Sequence, residues 1–388
     1  MLKIKVGVIF GGRSVEHEVS VISALQVMHA LDGEKYQVMP LYISKQGVWH
    51  TGEALKELGS FRDMPRLLAA CQKVLFSANR GEAKVLYDRP ASFFRKAAEE
   101  RLDVAFPVIH GTYGEDGCLQ GLLELSGIPY VGAGVTGSAV GMDKIVMKAV
   151  LEREGLPLVN YRHFYAWEMR ENSEKIISAL ERDLKFPLIV KPANLGSSIG
   201  ISRAKDAREL AEAIDLAARF AQRIVVEDAV EPLREINCSV LGDTKEQEVS
   251  CCEEPIGAHE ILSFQDKYLG GGKGMGGAAR RIPAPISEEL SAHIRELARR
   301  SFKALDGCGV CRMDFLLNSK SGQVYVNEIN TIPGSLSFYL WEPAGLGFPK
   351  LLDKLIALAL KRSREQEKLI YSYDSNILAG GGRKNGKF

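Results

Sequence analysis

Along this chain, apolar runs of strand length alternate with stretches of helical spacing, and glycines punctuate the joins. KIKVGVIF is one such run; it stops at Gly11–Gly12, and SVEHEVSVISALQVMHAL then sets Val15, Val19, Ile22, Leu25 and Val27 at helical intervals. YQVMPLYIS reads as a second strand and LDVAFPVIHG as a later one ending on glycine. The first third therefore predicts an open parallel α/β layer, with ligands at the carboxyl ends of its strands, where Gly12, Glu18 and His110 fall. Between about Thr51 and Arg101 the pattern is mixed; KVLFSANRGEAKVLYD has hairpin character, and no functional role attaches to the region.

After IPYVGAGVTGSAVGMDK the pattern restarts, with helical spacing over 143–154, a strand near Tyr161, a helix over 173–184 and the apolar strand PLIVK. This predicts a second, smaller α/β unit. From RIVVEDAV onward, REINCSVLG, QEVSCCE and CRMDFLL predict a largely antiparallel third unit, closed by a helix over 350–367. The fold class is thus α/β, turning to α+β in the C-terminal part, with units at 1–134, 135–226 and 227–388. A glycine-rich stretch at 264–281 and the tail 375–388 read as mobile.

Composition narrows the function classes. The 388 residues leave room for two or three domains, and a net charge of +1 gives no electrostatic reason to expect nucleic acid or an anionic membrane as partner. No apolar stretch reaches membrane-spanning length and no signal-peptide cleavage pattern opens the chain, which points to the cytoplasm. Seven cysteines fit reduced thiols; Cys308 and Cys311 form one CxxC that lacks a matching second pair for zinc. HEVS has Val21 where a zinc motif needs histidine, so His17 carries no metal expectation.

The densest chemistry lies in CRMDFLLNSKSGQVYVNEINTIPG. Strand alternation in VYVNEIN sends Glu328 and Asn330 to one face, Asn327 and Ile329 to the other, and Asp314 on the preceding strand can lie opposite the first pair. Two carboxylates and an amide oxygen suit Mg²⁺ bridging nucleotide phosphates. GAGVTG matches GxGxxG only by letter, since it does not close the first strand–helix turn, and no Walker-A pattern occurs. A phosphate cradle is offered instead by VKPANLGSSIG: Lys191 ends an apolar strand, and Gly196, Ser197, Ser198 and Gly200 form a loop able to wrap phosphate oxygens. Lys144 is a second candidate for the same phosphates, Glu227 for an adenine edge and Glu235 for ribose hydroxyls.

FGGRSVEHEVS, HGTYGEDGCLQGLLEL, YVGAGVTGSAVGMDK, VKPANLGSSIG, FQDKYLGGG, CRMDFLL and NEINTIPG, in this order, resemble the ATP-grasp superfamily and, within it, the D-alanine–D-alanine ligases. The resemblance spans nearly the whole chain and implies a three-domain ATP-grasp fold. It further implies ATP as co-substrate, held by Lys144, Lys191, Ser198 and Lys267 at the phosphates and by Glu227, the Val230 backbone and Glu235 at the nucleoside. Two Mg²⁺ (or Mn²⁺) ions would sit on Asp314, Glu328 and Asn330. Glu18 would meet the ammonium of a first D-alanine, His110 would assist near its carboxylate, and Arg312 with the Gly334 amide would form an oxyanion hole. Tyr268, in the glycine-rich loop, would close onto Ser197 and Glu18, and its identity argues for an amine nucleophile over D-lactate. The family's usual segment after NTxPG is altered here to GSLSFYLWEPAG. Ser337, Tyr339 and Leu340 are the candidates for the second substrate's carboxylate, and a Phe338–Trp341 wall leaves D-alanine and D-serine both open. A homodimer and a role in peptidoglycan synthesis follow from the same resemblance, and a non-catalytic nucleotide-binding regulator is the remote alternative.

Overall fold

The computed structural model describes residues 2–88, 99–196, 198–256 and 280–373. Seven strands make the first sheet: β1 (Ile4–Gly11), β2 (Tyr36–Ile43), β3 (Trp49–Thr51), β4 (Gln72–Phe76), β5 (Lys84–Tyr87), β6 (Glu99–Arg101) and β7 (Val104–Pro107). Their order is β6-β5-β4-β3-β2-β1-β7. β1 pairs in parallel with both β2 and β7, as an open parallel layer requires, and Val6, Val8, Ile9 and Phe10 on this central strand are fully buried. From β2 to β6, however, every pairing is antiparallel. The expected parallel layer is therefore only three strands wide. The link from Ile43 to Trp49 is too short for a parallel crossover, which takes about a dozen residues or more, so the 51–101 region extends the sheet as a meander.

The helix after the glycine turn runs His17–Ala30. It begins later than the apolar spacing suggests: Val15 lies outside it and is exposed, while Ser20, Ser23, Ala24 and Val27 turn inward. Small side chains on that inner stripe let the helix lie close to the sheet.

Strands β8 (Tyr161–Tyr165), β9 (Leu188–Pro192), β10 (Ser202–Ala204) and β11 (Arg223–Asp228) form a second sheet in the order β10-β9-β11-β8. A third contains β12 (Leu233–Gly242), β13 (Gln247–Val249), β16 (Gly309–Asn318) and β17 (Val324–Asn330), all antiparallel, in the order β13-β12-β16-β17. A short ribbon of β14 (Glu254–Pro255) and β15 (Arg280–Arg281) lies at its margin.

β16 alternates cleanly. Cys311, Met313, Phe315 and Leu317 enter a core shared with Ile294, Leu297, Ala298 and Phe302 of the helix Glu288–Ala304, and Arg312, Asp314 and Leu316 face the other way. The last helix, Phe348–Gln366, packs elsewhere. Its Leu351, Leu352, Leu355 and Ile356 join Val6, Val8 and Phe10 of β1, together with Ile332, Leu336 and Trp341, in one core. The stretch after β17 is thereby clamped against the first sheet. No helix among the described residues is long and apolar enough to cross a membrane.

Burying each large side chain on the inner face of β16 contributes roughly 1.5–3 kcal/mol, and truncation adds a cavity cost. Phe315→Ala, at a fully buried position, should lower unfolding free energy by about 3–5 kcal/mol in urea titrations.

Candidate active site

The outer face of the β16–β17 hairpin gathers the polar residues that the sequence singled out. Arg312 pairs across the strands with Asn330, and Asp314 with Glu328. Arg312 donates to both carboxylate oxygens of Asp314, from Nε at 2.6 Å and Nη2 at 2.7 Å, and Asn330 Nδ2 donates to Asp314 Oδ2 at 3.1 Å. Strict alternation would turn Asn327 away from this face. Instead the register shifts after Asp314, so that Phe315 opposes Val326 and one extra residue stands in β17. Val326 and Ile329 both stay in the core although three positions apart, and Asn327 and Glu328 are both half-buried on the polar side. Asn327 Oδ1 accepts a hydrogen bond from Lys191 Nζ at 3.0 Å.

Three lysines close on this face. Lys144, the first residue of the helix Lys144–Arg153, is buried; its Nζ donates to the Leu195 carbonyl at 2.8 Å and lies 3.3 Å from Glu328 Oε2. Lys191, in β9, lies 2.7 Å from Glu227 Oε2. Lys148, one turn beyond Lys144 and fully buried, lies 3.1 Å from Glu227 Oε1. Burial alone would push the Glu227 carboxyl up, but the ammonium groups of Lys148 and Lys191 hold it at about 2. Glu328 is likewise held below the carboxylate range, against burial, by Lys144 and Lys191. Lys148 itself is lowered, chiefly by burial. The Glu227 side chain, expected at an adenine edge, has both oxygens paired with lysines inside the protein. The main-chain groups of Val230, half-buried on the loop after β11, make no hydrogen bond to any described residue. Glu235 is half-buried on β12, and Ser198 lies in the loop after β9 with a left-handed φ of 59°.

At the end of β1 the sequence pointed to Glu18, whereas the buried carboxylate there is Glu16. Glu18 is exposed on the first helical turn and pairs with Lys45 at 2.5 Å. Glu16 is buried between two glycines: a side chain on Gly111 or Gly196 would come within 2.5 or 2.8 Å of its Oε2. Glycine at those two positions is what lets the first unit and the phosphate-type loop close around one carboxylate. Next to it, Glu115 accepts hydrogen bonds from the Gly111 and Ile332 amides, both at 2.8 Å. Burial, and after it the Glu16 carboxylate, push the Glu115 carboxyl up to about 8.

His110, expected to assist near a reacting carboxylate, has both ring nitrogens engaged within the protein. Its Nδ1 lies 2.7 Å from the Ile332 carbonyl, which can only accept, so Nδ1 carries the proton. Nε2 then accepts from Ser23 Oγ at 2.9 Å, and Ser23 Oγ accepts from the Ser335 amide at 3.1 Å. With Glu115 on the Ile332 amide, both backbone groups of Ile332 and the amide of Ser335 are held from the first unit. Gly334 sits between them, and its N–H has no partner among the described residues. Ser335, Leu336 and Ser337 follow with φ near 50°, a left-handed run costing roughly 1–2 kcal/mol per residue that the surrounding core must offset. Ser337 and Leu340 are fully buried. The Tyr339 hydroxyl donates to Glu253 Oε1 at 3.2 Å. Phe338 stacks on Phe348 with centroids 4.6 Å apart, and Trp341 donates to Ser239 at 3.1 Å.

Models of the D-ala D-ala ligase N-terminus and C-terminus match residues 5–133 and 150–357. The D-alanine–D-alanine ligase of Bacillus cytotoxicus is 41% identical over 376 residues, covering 96% of this chain and 100% of its own, and that of Natranaerobius thermophilus is 40% identical over 95% and 98%. Among solved structures, the D-alanine-D-alanine ligase from Coxiella burnetii matches with a TM-score of 0.77 at 32% identity, over 94% of this chain and 96% of that one. The VanG D-Ala:D-Ser ligase from Enterococcus faecalis matches with 0.76 at 32%, over 92% and 100%. The chain belongs to the D-alanine–D-alanine ligase family. Its fold is the ATP-grasp fold of those ligases.

Within this ligase fold, Arg312, Asp314, Glu328, Asn330, Lys144 and Lys191 converge, whereas Ser197, Lys267 and Tyr268 lie outside the described residues. Most of the expected loop at 264–281, and the tail, lie outside them too. The cysteines are all free, and no three His, Cys, Asp or Glu among the described residues cluster as a metal site. Sequence reasoning missed Glu16, Glu115, Asn327 and Lys148. Only Lys148 had a readable signal, its spacing of four from Lys144 on one helix.

Burial holds the His110 pKa at about 4, against an ordinary 6.5. The folded ligase then binds fewer protons than the unfolded chain between those values, so the stability linked to His110 is complete above pH 6.5 and lost as pH falls through 4. Urea midpoints of the protein should drop by the equivalent of up to about 3 kcal/mol across that window, and His110→Gln should flatten the slope.

Proposed function

We propose that this chain joins two D-alanines into D-alanyl-D-alanine with conversion of ATP to ADP and phosphate, through a D-alanyl phosphate. The observation that carries this reading is the two-pronged Arg312–Asp314 pair, set in a face where Asn330, Glu328, Lys144 and Lys191 are linked by short contacts. Lys144 and Lys191 would exchange their carboxylate and amide partners for ATP phosphates, a swap of one set of opposite charges for another. Ser198 and Lys267 would add phosphate contacts, the Val230 main chain would meet adenine and Glu235 the ribose.

Asp314, Glu328 and Asn330 fit Mg²⁺ or Mn²⁺: two carboxylates and an amide lie within one cross-strand pair of each other, too few for a closed protein cage, so phosphate oxygens and water would complete two ions. When bound, such ions neutralise charge on the transferring phosphoryl group. A carboxylate oxygen of the first D-alanine attacks the γ-phosphorus and ADP leaves. The amine of the second then attacks the acyl carbon, and phosphate departs as the tetrahedral oxyanion collapses. Arg312 and the unengaged Gly334 N–H are suited to that oxyanion. Glu16, in place of Glu18, would bind the ammonium of the first D-alanine, and Tyr268 would close with Ser197 over the site. His110 acts through the loop carrying Gly334 rather than on substrate. We also infer units at 1–134, 135–226 and 227–388, a homodimer, and action in the cytoplasm, where the product feeds peptidoglycan synthesis.

Phosphate release should depend on ATP and occur with D-alanine alone; a rate that appears only when D-serine or D-lactate is added would replace this reading by a mixed ligase. ATP binding without turnover on any D-amino acid would indicate a regulator. Arg312→Lys keeps the charge but loses the fork, and should lower kcat about 10²–10³-fold with an unchanged circular dichroism spectrum.

A further inference from the structure

Phosphoryl transfer, as set out above, gives work to Lys144 and Lys191 but none to Lys148. Yet Lys148 is the most deeply buried lysine among the described residues, at 0% exposure, and it faces Glu227, a carboxylate that is 1% exposed. Its Nζ lies 3.1 Å from Glu227 Oε1 and 5.3 Å from the centroid of the Tyr161 ring. Neither Nζ nor Oε1 makes an aligned hydrogen bond among the described residues, so what joins them is the attraction of opposite charges. Burial lowers the Lys148 ammonium, and the Glu227 carboxylate opposes that. Tyr161 stands in register with Glu227 across β8 and β11, and its hydroxyl donates at 3.3 Å to Glu152 Oε2, one turn along the helix from Lys148. Helix, strand and ring thus hold Lys148 against Glu227.

Lys191 is placed differently. On β9 it stands in register with Val225, diagonal to Glu227, and its Nζ lies 2.7 Å from Glu227 Oε2 and 3.0 Å from Asn327 Oδ1 on the third sheet. It therefore reaches the polar face to which the nucleotide is assigned above. If Lys191 goes over to a phosphate, Glu227 loses a partner, and a carboxylate this deep in the protein is strongly destabilised when left bare. Lys148 removes that obstacle. With Lys144 it makes three cations facing the two carboxylates Glu227 and Glu328, and the surplus positive charge is what a triphosphate calls for. Without Lys148 the cluster would be neutral, and Lys191 would be the sole counter-charge of Glu227 in it. We propose that Lys148 is a positioning residue of the nucleotide site: by neutralising Glu227 from the inside, it frees Lys191 to leave that carboxylate for a phosphate oxygen. This rests on the ligase reading above. Lys148 acts through Glu227 and Lys191 and not on the nucleotide itself.

Lys148→Met keeps most of the side chain and removes the charge. It should raise KM for ATP about 10–100-fold, the loss of one charged contact, and leave kcat and KM for D-alanine within about threefold of wild type, because the missing charge is felt as soon as ATP binds. Calorimetric titration with ATP, without D-alanine, should show the same loss in Kd. Lys148→Arg, which restores the charge, should recover part of it. Glu227→Gln removes the charge that has to be neutralised, so adding Lys148→Met in that background should change the ATP Kd by less than about threefold. This double variant leaves no bare carboxylate at 227, and it carries the test if Lys148→Met alone does not fold. Thermal midpoints are read alongside, since a purely structural lysine would lower the midpoint and leave Kd in place. An unchanged ATP Kd in Lys148→Met, or a loss of about tenfold or more when Lys148→Met is added to Glu227→Gln, would overturn the role of Lys148. A wild-type protein that binds no ATP would remove the nucleotide site and this role together. One that binds ATP but joins no D-alanines would overturn the ligase reading alone, and the Kd comparison would still decide the role of Lys148.

Discussion

Buried charge that is neutralised only by other buried charge organises this molecule. Lys148 and Glu227 are all but inaccessible, Lys144 and Lys191 nearly so, and Arg312 is locked to Asp314. Any one of these groups left unpaired in the interior would cost several kcal/mol, whereas together they come close to balance. The partners arrive from separate places: the helix Lys144–Arg153, strands β9 and β11, and the β16–β17 hairpin. The second sheet must therefore dock on the third for either to keep its charges. The same balance suits an enzyme that binds a triphosphate, since exchange of internal partners for phosphates and cations never leaves a charge bare.

A second constraint crosses the molecule at the other end. The chain after β17 would be a flexible loop if it depended on its own hydrogen bonds. It is held instead by Glu115, His110 and Ser23 from the first unit, over a core that the last helix shares with β1. Those bonds fix the peptides on either side of Gly334 and leave its N–H open. The left-handed run at Ser335–Ser337 is sustained by this packing, and it carries Tyr339 to the edge of the polar face. Positioning of the Gly334 N–H thus falls to residues more than 200 positions away in the chain.

Much of the architecture was legible because period-2 and period-3.6 patterns report directly on which face is buried. β1, β16 and the helices at 144 and 348 behave as their patterns imply. Failures came where one residue breaks a period. The extra residue at Asn327 reverses the side on which it emerges, and the late helix start moves the inward carboxylate from Glu18 to Glu16. A bulge and a helix start are each decided by packing against a neighbour that local pattern cannot include.

By itself the sequence determined which residue types suited to phosphate and cation chemistry are present, their order, and the strands that carry Arg312, Asp314, Glu328 and Asn330, because these follow from local periodicity and composition. Only the tertiary structure decided which charges are spent on one another, as Glu227 is on two lysines, and which histidine and glutamate hold the Gly334 loop. Those outcomes depend on distances between segments remote in the chain, and the energy of a charge depends on what surrounds it rather than on what precedes it.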